Sequence, residues 1–252
     1  MTAAATRSAS TLSDRSVLVT GAGSGLGAAI SRRLIRAGAR VALLDLDRDK
    51  AESVAREADP EGRSTLALDA DVGDAGKAVD AVTAVARRFG GLDALVNNAG
   101  TDVTRSLEEV DVDAWTRVVN TNLMGPFLLC KAALGVLKGG DGGRGGMIVN
   151  VASTAALRAW PNASAYHASK WGLLGLSRAL HSELRSSGVR VGTVIAGGMR
   201  TPFLLDRFPD LDPAKLQDPA NVAEAVHFML AMPRGSVVAE VMVLPEEETS
   251  WP

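Results

Sequence analysis

The chain has 252 residues, of which 46% are hydrophobic and 22% charged, with 27 Lys plus Arg against 29 Asp plus Glu and one cysteine. Near-balanced charge excludes a broad basic field for nucleic acid or an anionic membrane. The lone Cys130 excludes an internal disulfide and points to a reducing, cytoplasmic setting.

Met1–Ser13 is rich in Ala, Ser and Thr and lacks the apolar segment of a secretory signal, so residues 1–13 read as a flexible tail before one domain over 14–252. No unbroken apolar run reaches the roughly 18 residues of a membrane span. Short apolar runs then alternate with amphipathic segments, the pattern of βαβ units. The runs predict strands at Val17–Thr20, Arg40–Asp45, Thr65–Leu68, Ala94–Asn97, Met147–Val151, Val189–Ile195 and Val237–Leu244. Helices are predicted over Gly25–Ala37, Asp47–Ala58, Ala75–Phe89, Asp113–Leu137, Ser164–Ser187 and Pro219–Ala231, with a flexible loop at Gly139–Gly146. The strands are continuously apolar, as parallel strands buried on both faces must be. The fold class is α/β: one doubly wound parallel sheet of about seven strands with helices on both faces.

Directly after the first strand, Gly21-Ala22-Gly23-Ser24-Gly25-Leu26-Gly27 opens a helix. Glycines there allow a tight turn and a close backbone approach to a pyrophosphate, which the helix start then meets with free N–H groups. The strand, glycine loop and helix in that order predict a dinucleotide site. No Gly-Lys-Ser/Thr follows, which disfavours a P-loop. Asp45 ends the second strand 18 residues past Gly27, near the offset of a ribose-binding acid. Such a carboxylate accepts from ribose hydroxyls and repels a 2′-phosphate. Its alternative role is an N-cap, which Asp47 would fill equally well. With no Arg or Lys beside the glycines, NAD is favoured over NADP, and Arg48 keeps the latter open.

Tyr166 is the only tyrosine, and Lys170 follows it by four residues, on the same face of a helix. A cation held near a phenol favours phenolate and lowers its pKa from about 10, as acid–base catalysis near neutrality requires. The expectation is therefore a Tyr166 pKa well below that of a free phenol.

With these residues in view, the chain resembles the short-chain dehydrogenase/reductase family in its compact form. The matching elements are Thr20-Gly21-x-x-x-Gly25-x-Gly27, Asp71-Val72, Asn97-Asn98-Ala99-Gly100, Asn122-Leu123-x-Gly125, Ser153 and Tyr166-x-x-x-Lys170, with Ser153 lying 13 residues before Tyr166. The resemblance implies a Rossmann-type fold and interconversion of a secondary alcohol and a ketone with a nicotinamide cofactor. It implies Tyr166 as general acid/base, Ser153 as the hydrogen-bond partner of the substrate oxygen, and Lys170 on the nicotinamide ribose. Asn122 would hold a water linking Lys170 to solvent. Asp71 and Val72 would meet adenine, and Asn98, Ala99 and Gly100 the adenosine ribose side. Thr154 stands beside Ser153 and Asn120 near Asn122, so neighbours compete for both roles.

After the sixth strand the family shows Pro-Gly and then a threonine. Here Ala196-Gly197-Gly198-Met199-Arg200-Thr201 stands instead, so a looser loop is expected, with Gly197, Met199 and Thr201 still at the cofactor. The glycine pair after the last strand is missing too, and the sequence leaves open how Pro245–Pro252 covers the site.

Phe203, Leu204, Leu205 and Phe208 in the loop of about 199–217, with Leu157, Trp160 and Met199, suggest either a pocket for a small apolar or aromatic alcohol or ketone, or a seal on the core. Arg158 reads as a solvated loop charge, and Asn97 as satisfying backbone at its strand end. His167, His181 and His227 lack metal-ligand spacing and read as surface or interface residues, so no metal is expected. Ala168, Gly172, Gly175 and Ala179 form a small-residue stripe. It suits packing on the chain's own sheet or, as the resemblance implies, a homotetramer or homodimer. The rival readings are a catalytically silent nucleotide sensor and an NADP-dependent 3-oxoacyl reductase. A sugar-nucleotide epimerase would need more chain after Ile195.

Overall fold

Seven parallel strands alternate with helices over residues 12–247, the part of the chain that the computed structural model describes. The strands are β1 (Ser16–Thr20), β2 (Arg40–Asp45), β3 (Thr65–Asp69), β4 (Ala94–Asn97), β5 (Met147–Ser153), β6 (Arg190–Ala196) and β7 (Glu240–Val243). The helices are α1 (Gly25–Arg36), α2 (Arg48–Ala58), α3 (Ala75–Phe89), α4 (Val112–Val119), α5 (Gly125–Gly143), α6 (Ser164–Glu183), α7 (Pro202–Leu205) and α8 (Pro219–Ala231).

The strands are ordered β3-β2-β1-β4-β5-β6-β7. Val19 of β1 lies beside Leu43 of β2 on one side and Val96 of β4 on the other. The chain therefore reverses its direction of winding at β1, and a crevice opens beyond the carboxyl ends of β1 and β4. One face of the sheet buries Ile30 and Leu34 of α1 with Val222, Val226 and Met229 of α8. The other buries Val82 and Val85 of α3 with Leu129, Ala133 and Leu137 of α5. Each large apolar side chain so enclosed contributes about 1.5–3 kcal/mol over leaving it in water. Two packed layers thus hold the crevice rigidly at one end of the sheet.

Four expectations are corrected. Residues 1–11 of the expected tail lie outside the described residues, but Leu12 is 1% exposed and its N–H donates to the Ala37 carbonyl. It docks beneath α1 because an apolar side chain stands next to the free end of that helix. The helix predicted over Asp113–Leu137 is interrupted by a π-helical turn at Asn120–Met124, where the Gly125 N–H reaches back to the Asn120 carbonyl. The last strand pairs only over Glu240–Val243, because Val237 and Val238 pack on the core without joining the ladder.

The expected flexible loop at Gly139–Gly146 is tied down. The chain leaves helical geometry at Gly140, and the Asp141 N–H donates to Asp93 (2.6 Å). The Asp141 carboxylate gathers Arg15, Arg144 and Arg234. Burial opposes its charge, but the Arg234 hydrogen bond and the charges of Arg15 and Arg234 prevail, holding it below the ordinary carboxylate range.

The helical run Val112–Gly143 is also long and apolar enough by composition to cross a membrane, although no unbroken apolar run marks it in the sequence. Here its apolar side chains at Leu129, Ala133 and Leu137 are buried against the sheet.

Candidate active site

A cleft of about 950 Å³ runs along the carboxyl ends of the strands. One end is made mostly of backbone. Gly21, with φ of +63°, turns the chain where an added Cβ would lie 2.9 Å from the Ala99 Cα. A Cβ on Gly27 would overlap the Gly21 carbonyl oxygen, so α1 packs against the loop only because that side chain is missing. Ser24, Gly25 and Leu26 complete the lip.

The caps of α2, α3, α4 and α8 are Asp47, Asp74, Asp111 and Asp218, each accepting from its helix's first turn. Ser24 makes no such bond, and the first turn of α1 carries no acid. Its N–H groups are therefore left for an anionic ligand, which fits a pyrophosphate.

Asp45 lines the same end and accepts from the Gly23 N–H (2.8 Å) and the Asp47 N–H (3.0 Å). Since Asp47 caps α2, Asp45 is released from that role. Arg48 is paired with Glu52 and Asp69. One expectation fails: a lysine does stand beside the glycines, because a Cβ on Gly23 would lie 2.7 Å from that of Lys50. The Lys50 ammonium pairs with Asp47 at 3.3 Å. α2 turns it towards the loop, a proximity that spacing along the chain does not reveal.

Asp71 and Val72 line the cleft after β3, and Asn98, Ala99 and Gly100 after β4. Thr20 Oγ1 accepts from the Asn98 and Ala99 N–H groups (3.0 and 2.9 Å), stitching the ends of β1 and β4 together. Asn97 turns away from the backbone it was expected to satisfy. Its amide donates to Asn150 Oδ1 (2.8 Å) and lies 3.4 Å from Cys130 Sγ, because β5 places a second asparagine opposite it. Burial pushes the Cys130 thiol up to about 12, so this cysteine is packed and unreactive.

At the other end Ser153, Tyr166 and Lys170 converge. Ser153 ends β5 and accepts from the Ala155 N–H, while its hydroxyl hydrogen-bonds that of Tyr166. Lys170 is 5% exposed, donates to the Val151 carbonyl (3.0 Å), and its Nζ lies 5.7 Å from the Tyr166 ring centre. Burial pulls Lys170 down to about 8.

The expected acidic phenol does not appear. Burial pushes Tyr166 up to about 12, and the Ser153 hydrogen bond only partly opposes it. The charges acting on it are Asp102, which raises its pKa, and Arg207, which lowers it. Enclosing a phenol costs its ionised form more than Lys170, turned towards Val151, returns.

Asn122, alone among the residues predicted for catalysis or cofactor binding, does not line the cleft. Fully buried in the π-turn, it accepts from the Thr101 N–H and donates to the Thr101 carbonyl and to Ser169 Oγ. It braces the segment after β4 against α6. Both Asn122 Oδ1 and Lys170 Nζ lie close to Gly100.

Of the histidines read as surface or interface residues, His167 and His227 are buried within the chain and His181 is half-buried. His227 is buried beside Arg33, and His181 meets the Val191 carbonyl (2.8 Å). His167 faces the Ala155 carbonyl through Nδ1 (3.0 Å) and receives the Trp160 N–H at Nε2 (3.0 Å). Those partners demand a neutral ring protonated on Nδ1. His167 thereby fastens the Ser153–Trp160 segment to the residue next to Tyr166.

The segment after β6 is not loose. Gly197 donates to Val243, Arg200 to Gln217, and Gln217 to Gly198, so β7 and the 217 region fix it despite Ala196. Gly197, Met199 and Thr201 line the cleft, with Thr201 packed against Gly25. Trp160, Phe203, Leu204 and Phe208 add an apolar wall, whereas Leu157 and Leu205 stay out of it. Pro245 and Glu247 also reach the cleft, and residues 248–252 lie outside the described residues.

Among the lining residues that escaped the sequence reading are Asp102 and Arg207, paired at 2.8 Å. A charge two residues past Gly100 was the only signal for Asp102. None marked Arg207 inside an apolar loop.

A family model described as short chain dehydrogenase matches residues 15–212. The chain is 40% identical over 184 residues to a D-threitol dehydrogenase of Mycolicibacterium smegmatis, covering 73% of this chain and 69% of that protein. A metagenomic short-chain oxidoreductase solved with NADP superposes with a TM-score of 0.81 at 32% identity, over 94% of this chain and 99% of the other. A 3-ketoacyl-(acyl-carrier-protein) reductase of Brucella melitensis solved with NADH gives 0.85 at 32%, with the same coverages.

Proposed function

Because this chain belongs to the short-chain dehydrogenase family and is an NAD(P)-linked oxidoreductase of CH–OH groups, we propose that it interconverts a small secondary alcohol and its ketone through Tyr166. The observation that carries this reading is the meeting of Ser153, Tyr166 and Lys170 in one cleft with the glycine loop. The nicotinamide, when bound, supplies or accepts the hydride. In reduction the Tyr166 hydroxyl gives its proton to the carbonyl oxygen. In oxidation the phenolate takes the proton of the alcohol while hydride leaves the same carbon. Ser153 Oγ holds the substrate oxygen as charge develops on it. Lys170 Nζ meets the ribose hydroxyls and favours the phenolate, and Asn122 keeps the Thr101 segment in register beside it.

Asp45 favours NAD, since its carboxylate faces the ribose side and Arg48 is engaged elsewhere. The apolar wall of Trp160, Phe203, Leu204 and Phe208 suits a small ring or aliphatic body. Trp171, Met124 and Phe127 are exposed, as are Ala168, Gly175 and Ala179 of the stripe, which supports assembly into a homotetramer or homodimer through α5 and α6. A reducing cytoplasm suits the buried Cys130 thiol. Following nicotinamide absorbance with NAD and with NADP over a panel of secondary alcohols and their ketones tests the reading. The expected result is turnover with NAD preferred, and silence with every pair would overturn it.

A further inference from the structure

The end of the cleft nearest Tyr166 holds two opposite charges that the reaction does not use. Asp102 follows β4 on the rigid scaffold, whereas Arg207 follows α7 in the substrate loop. Asp102 Oδ1 accepts from the Val103 N–H (2.7 Å), and Oδ2 faces Arg207 Nη1 at 2.8 Å. Side-chain exposure is 9% for Asp102 and 25% for Arg207.

The guanidinium lies on the Phe203 ring, 3.8 Å from its centre, and Nε and Nη2 donate to the Phe203 carbonyl. The Phe203 ring in turn lies 5.9 Å from that of Tyr166. Arg207 is thus held in place by its own turn of chain as well as by the carboxylate. Nη1 is close to Asp102 but its N–H bonds are not aligned with it, so this buried donor has no hydrogen-bond acceptor. A carboxylate also has about four acceptor positions, of which one N–H and one facing cation leave some open.

Resting on the oxidoreductase reading above, the structure assigns Asp102 and Arg207 as a specificity pair that selects alcohols and ketones bearing a second uncharged hydroxyl near the reacting carbon. A hydroxyl donates to Asp102 while accepting from Arg207, which completes both groups. An anionic substituent gains Arg207 only by standing against the Asp102 carboxylate, and an unfunctionalised ring leaves both groups unfilled.

The test compares trans-cyclohexane-1,2-diol, cyclohexanol and 2-hydroxycyclohexanecarboxylate, with the corresponding ketones, in the parent and in Asp102→Asn and Arg207→Met. Nucleotide binding serves as the check that each variant is folded. In the parent, kcat/KM for the diol should exceed that for cyclohexanol by about 10- to 100-fold, with the hydroxy acid lowest. Each variant should bring diol and cyclohexanol to within about threefold of each other. Asp102→Asn should also raise the hydroxy acid relative to the diol. If both variants slow diol and cyclohexanol equally, the pair is only a latch on the loop and the proposal is wrong. A parent that prefers the hydroxy acid overturns it as well, with the oxidoreductase reading intact. Absence of turnover with all three compounds and their ketones overturns both.

Discussion

The two ends of the cleft are built by different means. At the nucleotide end the ligand-facing groups are largely main chain, and an aspartate and an uncapped helix do the rest. At the substrate end they are side chains from the end of β5, from α6 and from the loop after β6, and the pair Asp102–Arg207 joins two segments distant in sequence. Backbone geometry tolerates little variation, since any side chain at Gly21 or Gly27 meets another main-chain segment. The substrate end changes its chemistry by changing residues on a loop, with the sheet untouched.

Substitutions at each end should fail in distinct ways. The largest effect belongs to the hydroxyl that joins both ends. Tyr166→Phe should lower turnover by about 10³-fold, while nicotinamide fluorescence reports nucleotide affinity within about threefold of the parent. Loss of both together would mean that the ring holds the cleft open and does no proton chemistry.

Gly27→Ala should break the nucleotide end from within, costing about 1–3 kcal/mol in urea unfolding and weakening NAD binding. The loss should not depend on which alcohol is assayed.

Lys170 sharpens the contrast through pH. Its folded pKa of about 8 lies below the ordinary 10.5, so between those values the unfolded chain binds the additional proton. The lysine's contribution to stability therefore rises with pH across that window, by at most about 1.4 kcal/mol per unit. Below pH 8 its burial as a cation costs most. Lys170→Met should accordingly be more stable than the parent at pH 7.5, with the gap closing towards pH 10 in paired urea titrations. A gap independent of pH would show that the ammonium is not buried in solution.

The smallest change is expected at Asp45. Asp45→Asn should reduce the ratio of kcat/KM with NAD to that with NADP by about tenfold. An unchanged ratio would leave the neighbouring Lys50, and not the carboxylate, as the reader of the ribose.

The same division explains what was legible in the sequence. Gly21 to Gly27, Asp45, and the Tyr166–Lys170 pair are local patterns, in which spacing along the chain already sets the geometry. The parallel sheet and both helical layers followed from the alternation of apolar runs, whereas the strand order came only with the structure. Asp102 and Arg207 escaped because their meaning arises only when β4 and the loop after β6 come together. His167 was misjudged for a similar reason. Its partners are the Ala155 carbonyl and the Trp160 N–H, backbone groups that no pattern in residue type displays. Tyr166 shows a different gap, since spacing revealed its cationic neighbour but not that desolvation of the phenol outweighs it.

The widened turn at Asn120–Met124 has a consequence for how this chain can change length. Its extra residue rotates α5 about its axis relative to α4, so that Leu129, Ala133 and Leu137 point at the sheet while Asn122 reaches inward about two turns earlier. Deleting a single residue there would restore an unbroken α-helix, the form with the better local hydrogen bonds. It would also swing the apolar stripe of α5 by about 100° and withdraw the asparagine from Thr101. Insertions and deletions should therefore accumulate at the exposed loop tips, leaving this helix locked at its present count.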